Sequence, residues 1–246
     1  MKHRIISVTA LITAGLLASS SVFADTKFRP RADIGLASYE LSISDPGFDD
    51  ITSESTYLKA GIGGTIITGR WYFDLGYSGS INAESDESGG GTSDFTRKDL
   101  TLTAGYVFPN NVAVFGGYKS GTSEFENFSD IPGFSDEFTA DGIYGGAGYN
   151  IKHGNNVISF NGAIAILEGE YKSSDSSGSF SYTSDTVGLS LGAGYNIPLS
   201  SASGIAIKAN YQNYTFTDLS ASDGTSLSGE DSEEILAFDV GYYATF

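Results

Sequence analysis

Residues 235–246, ILAFDVGYYATF, alternate without a fault. Leu236, Phe238, Val240, Tyr242, Ala244 and Phe246 fall on one side of an extended chain. Ala237, Asp239, Gly241, Tyr243 and Thr245 fall on the other. Side chains of a strand point alternately to its two faces, so a period of two predicts a strand with one apolar and one small or polar face.

The pattern recurs upstream. Ile34 and Leu36 alternate with Asp33, Gly35 and Ala37. Leu58, Ala60, Ile62 and Ile66 oppose Lys59, Gly61, Gly63 and Thr65, and Trp71, Phe73, Leu75 and Tyr77 oppose Tyr72, Asp74, Gly76 and Ser78. Leu100, Leu102, Ala104, Tyr106 and Phe108 oppose Asp99, Thr101, Thr103 and Gly105. Later segments lie near 112–120, 139–150, 157–169, 184–197 and 205–216. Together they predict ten strands, with eight or twelve as the alternatives. Abundant Gly, Tyr and Phe agree with an all-β chain rich in turns.

The connectors alternate in length. Short ones fall at 67–70, 109–111, 150–156 and 198–204, and long ones at about 42–56, 80–96, 120–138, 171–183 and 217–234. Short turns at one end and long loops at the other describe a transmembrane antiparallel up-and-down barrel, with periplasmic turns and long acidic extracellular loops.

One short phrase repeats in step with this plan. AGYNI occurs at 147–151 and 193–197, with AGYVF at 104–108. Each copy lies near the end of a strand that descends to a short turn. Its tyrosines (Tyr106, Tyr149 and Tyr195, with Tyr242 equivalent in the last strand) are expected to face outward as a periplasmic aromatic girdle, ring in acyl chains and hydroxyl toward water.

A soluble sandwich also alternates, so charge must decide. The mid-strand charges Asp33, Lys59, Asp74, Asp99, Lys119, Lys208 and Asp239 all oppose the large apolar side chains. In a barrel they share the lumen while the apolar face meets lipid. The rest of the polar face is crowded with glycine, where a solvated face would carry Lys, Glu and Thr. Enclosed charges are costly unless paired, so these residues are expected to form a network that braces the strands or tunes a narrow channel.

The N-terminus supports a membrane destination. Lys2, His3 and Arg4 precede an apolar run that ends in small residues at Ala24, so residues 1–24 read as a secretory signal and 25–246 as the barrel domain. The formal charge of −17, with 30 acidic residues, excludes nucleic acid as a partner.

The terminal strand resembles the C-terminal signature of Gram-negative outer-membrane barrels, with Phe246 last and Tyr242, Val240 and Phe238 alternating before it. The whole mature chain resembles the small opacity-type and OmpW-like barrels of the porin superfamily. The resemblance implies the outer membrane as location, contact with its lipids and lipopolysaccharide, and recognition of Phe246 by the barrel assembly machinery. The acidic loop segments are expected to share divalent cations with that lipopolysaccharide. It does not imply one activity, because such barrels include adhesins, small porins and enzymes.

Enzymes of that compartment rely on a histidine base, and only His153, in a short turn, follows the signal segment. Cysteine is absent, so no thiolate nucleophile or zinc cluster is available. SDPGFDD (44–50) and GEDSEE (229–234) lack a defined calcium spacing. A non-enzymatic protein without cofactor or metal site is therefore expected. Two functions compete. One is a porin-like lumen that passes small solutes or cations. The other is an adhesin or receptor that binds through its loops, with Phe125, Phe128 and Phe134 in the 120–138 segment as the candidate site.

Overall fold

The computed structural model describes residues 26–44, 51–88, 90–127, 133–175, 178–221 and 231–246. The expected signal segment lies outside them, as do Phe48 and Phe128. The chain forms β1 (Thr26–Ile43), β2 (Ile51–Thr68), β3 (Trp71–Ile81), β4 (Ala83–Glu87), β5 (Thr92–Val107) and β6 (Val112–Glu126). It continues through β7 (Ser135–His153), β8 (Asn156–Asp175), β9 (Gly178–Ser200), β10 (Ser203–Ala221) and β11 (Asp231–Ala244).

Each strand pairs antiparallel with its neighbours, and β1 pairs with both β2 and β11, so the sheet closes on itself. β3 and β4 are two parts of one stave. Both pair with β2 on one side and β5 on the other. Between them Asn82 sits at φ 44°, a left-handed conformation asparagine tolerates. The result is a closed barrel of ten staves. At one end the hairpins are tight, with Gly69 (φ 59°) and Gly154 (φ 61°) supplying the positive φ of two turns. Both described termini lie at this end, where Phe246 and Phe28 exchange backbone hydrogen bonds of 2.9 and 3.1 Å.

The faces sort as the alternation predicts in the half of the barrel nearest the turns. Ile34, Leu36, Ile62, Phe73, Leu75, Ile143, Ile164, Val187, Leu191, Phe238 and Val240 are exposed on the outside. No aqueous protein leaves such a continuous apolar belt uncovered, and lipid covers it here. Trp71, the only tryptophan, lies on this belt at its turn end, edge-on to Tyr106 at 5.0 Å between centroids. Its fluorescence in refolded protein is expected to be blue-shifted and quenched by brominated acyl chains. Emission typical of water, indifferent to the bromolipid, would place the belt elsewhere.

Away from the turns the structure departs from the expectation of long loops. Most of residues 51–56, 83–96, 120–126, 135–138, 171–183 and 217–221 belongs to strands. β8 alone has 20 residues, about 66 Å of extended chain at ~3.3 Å per residue. A membrane strand needs roughly 9–11 residues, so the excess rises clear of the lipid. There the faces exchange roles. Glu40, Glu54, Thr56, Lys98 and Glu170 point outward, whereas Tyr39, Leu41, Tyr57, Phe95, Phe125, Phe138 and Phe216 are buried inside. Below, the barrel is oily outside and charged within. Above, it is built like a water-soluble barrel.

Candidate functional site

The interior has three levels. The uppermost is an aromatic plug to which β1, β2, β5, β6, β7, β8 and β10 each send a ring. Tyr39 meets Phe95 at 4.7 Å between centroids, Phe95 meets Tyr57 at 5.4 Å and Phe125 at 5.1 Å, and Phe125 meets Phe138 at 6.4 Å. Phe138 continues the set to Tyr171 at 4.4 Å and Phe216 at 6.5 Å. Such tilted and edge-on pairs add to the area they bury. Tyr39, Phe95 and Phe125 are each no more than 2% exposed.

Directly beneath lies a layer of ion pairs. Arg97 is its centre, only 3% exposed: Nη1 donates to Glu233 Oε1 and to Ser123 Oγ, both at 2.6 Å, and Nη2 donates to Asp99 Oδ1 at 2.9 Å. Lys119 stands 3.9 Å from Asp99 and donates to Gln212 Oε1 at 2.5 Å and to the Tyr214 hydroxyl. Across the lumen Lys59 pairs with Asp239 at 2.9 Å and Lys208 with Asp33 at 2.7 Å. Arg31 grips Asp74 through both terminal nitrogens, at 2.6 and 2.9 Å. Planar guanidinium on carboxylate is the geometry that best offsets the desolvation of both. Glycine makes the room. A Cβ on Gly121 would stand 2.6 Å from Arg97 Nη2, and one on Gly63 would stand 2.7 Å from Arg31 Cζ.

The structure thus brings Asp33, Lys59, Asp74, Asp99, Lys119, Lys208 and Asp239 together inside the barrel. Arg97, which the sequence places just above these charges, joins them. Sequence reasoning missed Arg31 and Glu233, which complete the set, although each lies two residues from an inward position in the same phase. Below the ions is a cavity of about 590 Å³ that runs from Lys119 to Val107, Asn150 and Asn196 beside the turns.

Tyr106, Tyr149, Tyr195 and Tyr242 lie on the outer face near the turns. Tyr106 packs edge-on against Phe108 at 5.0 Å, and the Tyr195 hydroxyl accepts from Asn156 Nδ2 at 2.5 Å. Phe246 is exposed beside β1. The candidate binding loop is corrected in part: Phe125 is on β6, buried at 2% exposure in the plug, because the strand continues through the segment expected to be a loop. Phe95, likewise expected on a loop, is buried beside it. Phe134 is partly buried, and Phe128 lies outside the described residues. His153 is exposed at the turn end of β7.

On the outer surface above the belt, carboxylates stand side by side. Glu234, Glu40, Glu54 and Asp86 are successive cross-strand neighbours over β11, β1, β2 and β4. Glu84, Asp94 and Glu126 form a second such row over β4, β5 and β6. Elsewhere acid is neutralised, as where Lys172 lies 2.9 Å from Glu170 and 3.2 Å from Glu137. Hydrogen bonding to Glu170 and then Glu137 raises the Lys172 pKa above its ordinary value.

No protein-family model matches the sequence, and no curated protein matches it either. Solved structures do. The outer membrane protease OmpT of Escherichia coli superposes with a TM-score of 0.58 at 10% identity, over 90% of this chain and 97% of that one. The translocator domain of the autotransporter NalP from Neisseria meningitidis superposes at 0.52 and 14% identity, over 96% and 92%. Ail, the attachment invasion locus protein of Yersinia pestis, gives 0.40 at 15% identity, over 89% and 98%. At such identities the likeness to the first two speaks to the fold alone, and it agrees with the oily belt, the closed sheet and the short turns. The chain is a ten-stranded transmembrane β-barrel of the Gram-negative outer-membrane type.

Proposed function

We propose that this protein is a non-enzymatic surface protein of the outer membrane: a closed barrel that lifts an acidic, strand-built crown above the lipid and binds a basic partner there. The aromatic plug carries this reading. A porin needs a wet path, and here seven staves send packed rings into the lumen, which supports a closed barrel. The charges beneath support it too. Arg31, Lys59, Arg97, Lys119 and Lys208 balance Asp33, Asp74, Asp99, Glu233 and Asp239, each engaged with a partner rather than left for passing ions.

The acidic rows point to the partner. Like charges directly opposite on neighbouring strands are destabilising, and a field of one sign steers and selects partners of the other. At the top of the belt Asp141, Glu168 and Asp185 form a further row, at the height where lipopolysaccharide phosphates would share divalent cations with it. His153 as the sole histidine after the signal segment, exposed in a turn, favours a non-enzymatic role.

Planar bilayers holding the folded protein are expected to show no conductance steps. Cells displaying it are expected to adhere to a polylysine surface in a salt-sensitive way. Glu40→Gln with Glu54→Gln and Asp86→Asn should reduce that adhesion several-fold while stabilising the barrel slightly, by about 0.2–1 kcal/mol per relieved pair. Stable cation-selective steps would restore the channel reading, and undiminished adhesion of the variant would remove the basic partner.

A further inference from the structure

The cavity beneath the ion layer belongs to neither role. Two kinds of wall enclose it. On one side, from β3, β6 and β7, stand Tyr72, Phe115 and Tyr144, the last two edge-on at 6.3 Å between centroids. On the other, from β8, β9 and β10, stand Asn161, Ser190, Asn196 and Asn210. Asn161 and Asn210 are the two cross-strand neighbours of Gly192. A Cβ on Gly192 would lie 2.7 Å from the Asn161 amide and 2.8 Å from Asn210 Oδ1, so the glycine is a saddle over which two carboxamides meet. Neither amide hydrogen-bonds another described residue, and both face the cavity.

The charged groups of this wall are already engaged. Asp74 is held by Arg31 and Thr65, and Lys119 by Gln212 and Tyr214. What is left free is uncharged: amides that both donate and accept, opposite flat apolar rings. That combination suits a ligand with hydroxyls along one edge and C–H groups on one face. The volume, about 590 Å³, is within the ~300–1,000 Å³ of small-molecule sites.

We infer that the turn-end cavity is a binding site for a neutral mono- or disaccharide reaching it from the periplasm, with Asn161 and Asn210 bonding the hydroxyls and Tyr72, Phe115 and Tyr144 packing against the ring. This goes beyond the surface role and does not depend on it.

The test uses the full chain folded in a zwitterionic detergent without a sugar headgroup. It is titrated calorimetrically with maltose, N-acetylglucosamine and its β-1,4 disaccharide. At least one is expected to bind saturably, tighter than about 10 mM. Asn161→Leu and Asn210→Leu, each checked for folding by heat-modified gel mobility, should each weaken it about tenfold or more. Glu126→Gln, on the outer crown, should leave it unchanged. A second measurement needs no variant: the side-chain NH₂ resonances of Asn161 and Asn210 in the unaltered protein should shift with the same saturation curve. Failure of all three sugars to bind, equal binding by the folded variants, or shifts confined to the outer crown would each overturn the proposal.

Discussion

Replacing Arg97 with methionine is expected to destabilise the barrel by about 3–5 kcal/mol, measured by urea unfolding from detergent or lipid. The guanidinium holds Glu233 and Asp99 at once, and Glu233 is 2% exposed. Without it Glu233 keeps the neutral Ser123 hydroxyl at 2.8 Å, with the Tyr39 phenol beside it, and Asp99 keeps Lys119 at 3.9 Å. The loss is thus the penalty of a buried charge left without its counter-ion, larger than the net worth of the pair. The double variant Arg97→Met with Glu233→Leu removes both members, so it should recover part of that loss, with a coupling of about 0.5–3 kcal/mol between the sites. A cost within about 0.5 kcal/mol, as for an ordinary surface change, would mean that water reaches this layer, and the closed-barrel reading would fall with it.

The turn-side half of this architecture was legible because one rule governs it. From Asp33 to Leu36, from Leu58 to Ile66 and from Phe238 to Phe246 the apolar side chains keep one parity, the parity that faces lipid. The charged network followed from the same parity, since Asp33, Lys59, Asp74 and Asp239 could only face the lumen. Farther from the turns the rule inverts while the strand runs on. In β1 the apolar positions pass from Ile34 and Leu36, facing out, to Tyr39 and Leu41, facing in. In β5 they pass from Leu100 and Leu102 to Phe95, and in β10 from Ile205 and Ile207 to Tyr214 and Phe216. A reader following one parity sees the pattern stop, and acidic residues on the new solvent face then resemble a loop. Shifting parity by one residue moves a hydrophobic set to the opposite face, and here the surroundings change from lipid to water at the same level. Glu233 was lost to the site for this reason. The saddle at Gly192 was hidden for another: two asparagines and a glycine on three strands become neighbours only through register.

Phe95→Ala tests whether those outer strands enclose a core. Phe95 touches Tyr39, Tyr57 and Phe125 and is 2% exposed. Truncation should cost about 3–5 kcal/mol, the transfer free energy of the lost ring together with the cavity its neighbours cannot fill. Phe238 supplies the contrast. It carries the same ring on the lipid face, 58% exposed in the protein alone, and acyl chains can flow into the space it vacates. Phe238→Ala should therefore lose only the transfer part, about 1.5–3 kcal/mol. Phe125→Ala added to Phe95→Ala enlarges one shared cavity rather than opening a second, so the two costs should depart from additivity by about 0.5–3 kcal/mol. A residue on a solvated loop would behave otherwise, with Phe95→Ala staying within about 0.5 kcal/mol of the parent. That result would dissolve the plug, return residues 83–96 to the status of a loop, and reopen the lumen to solutes.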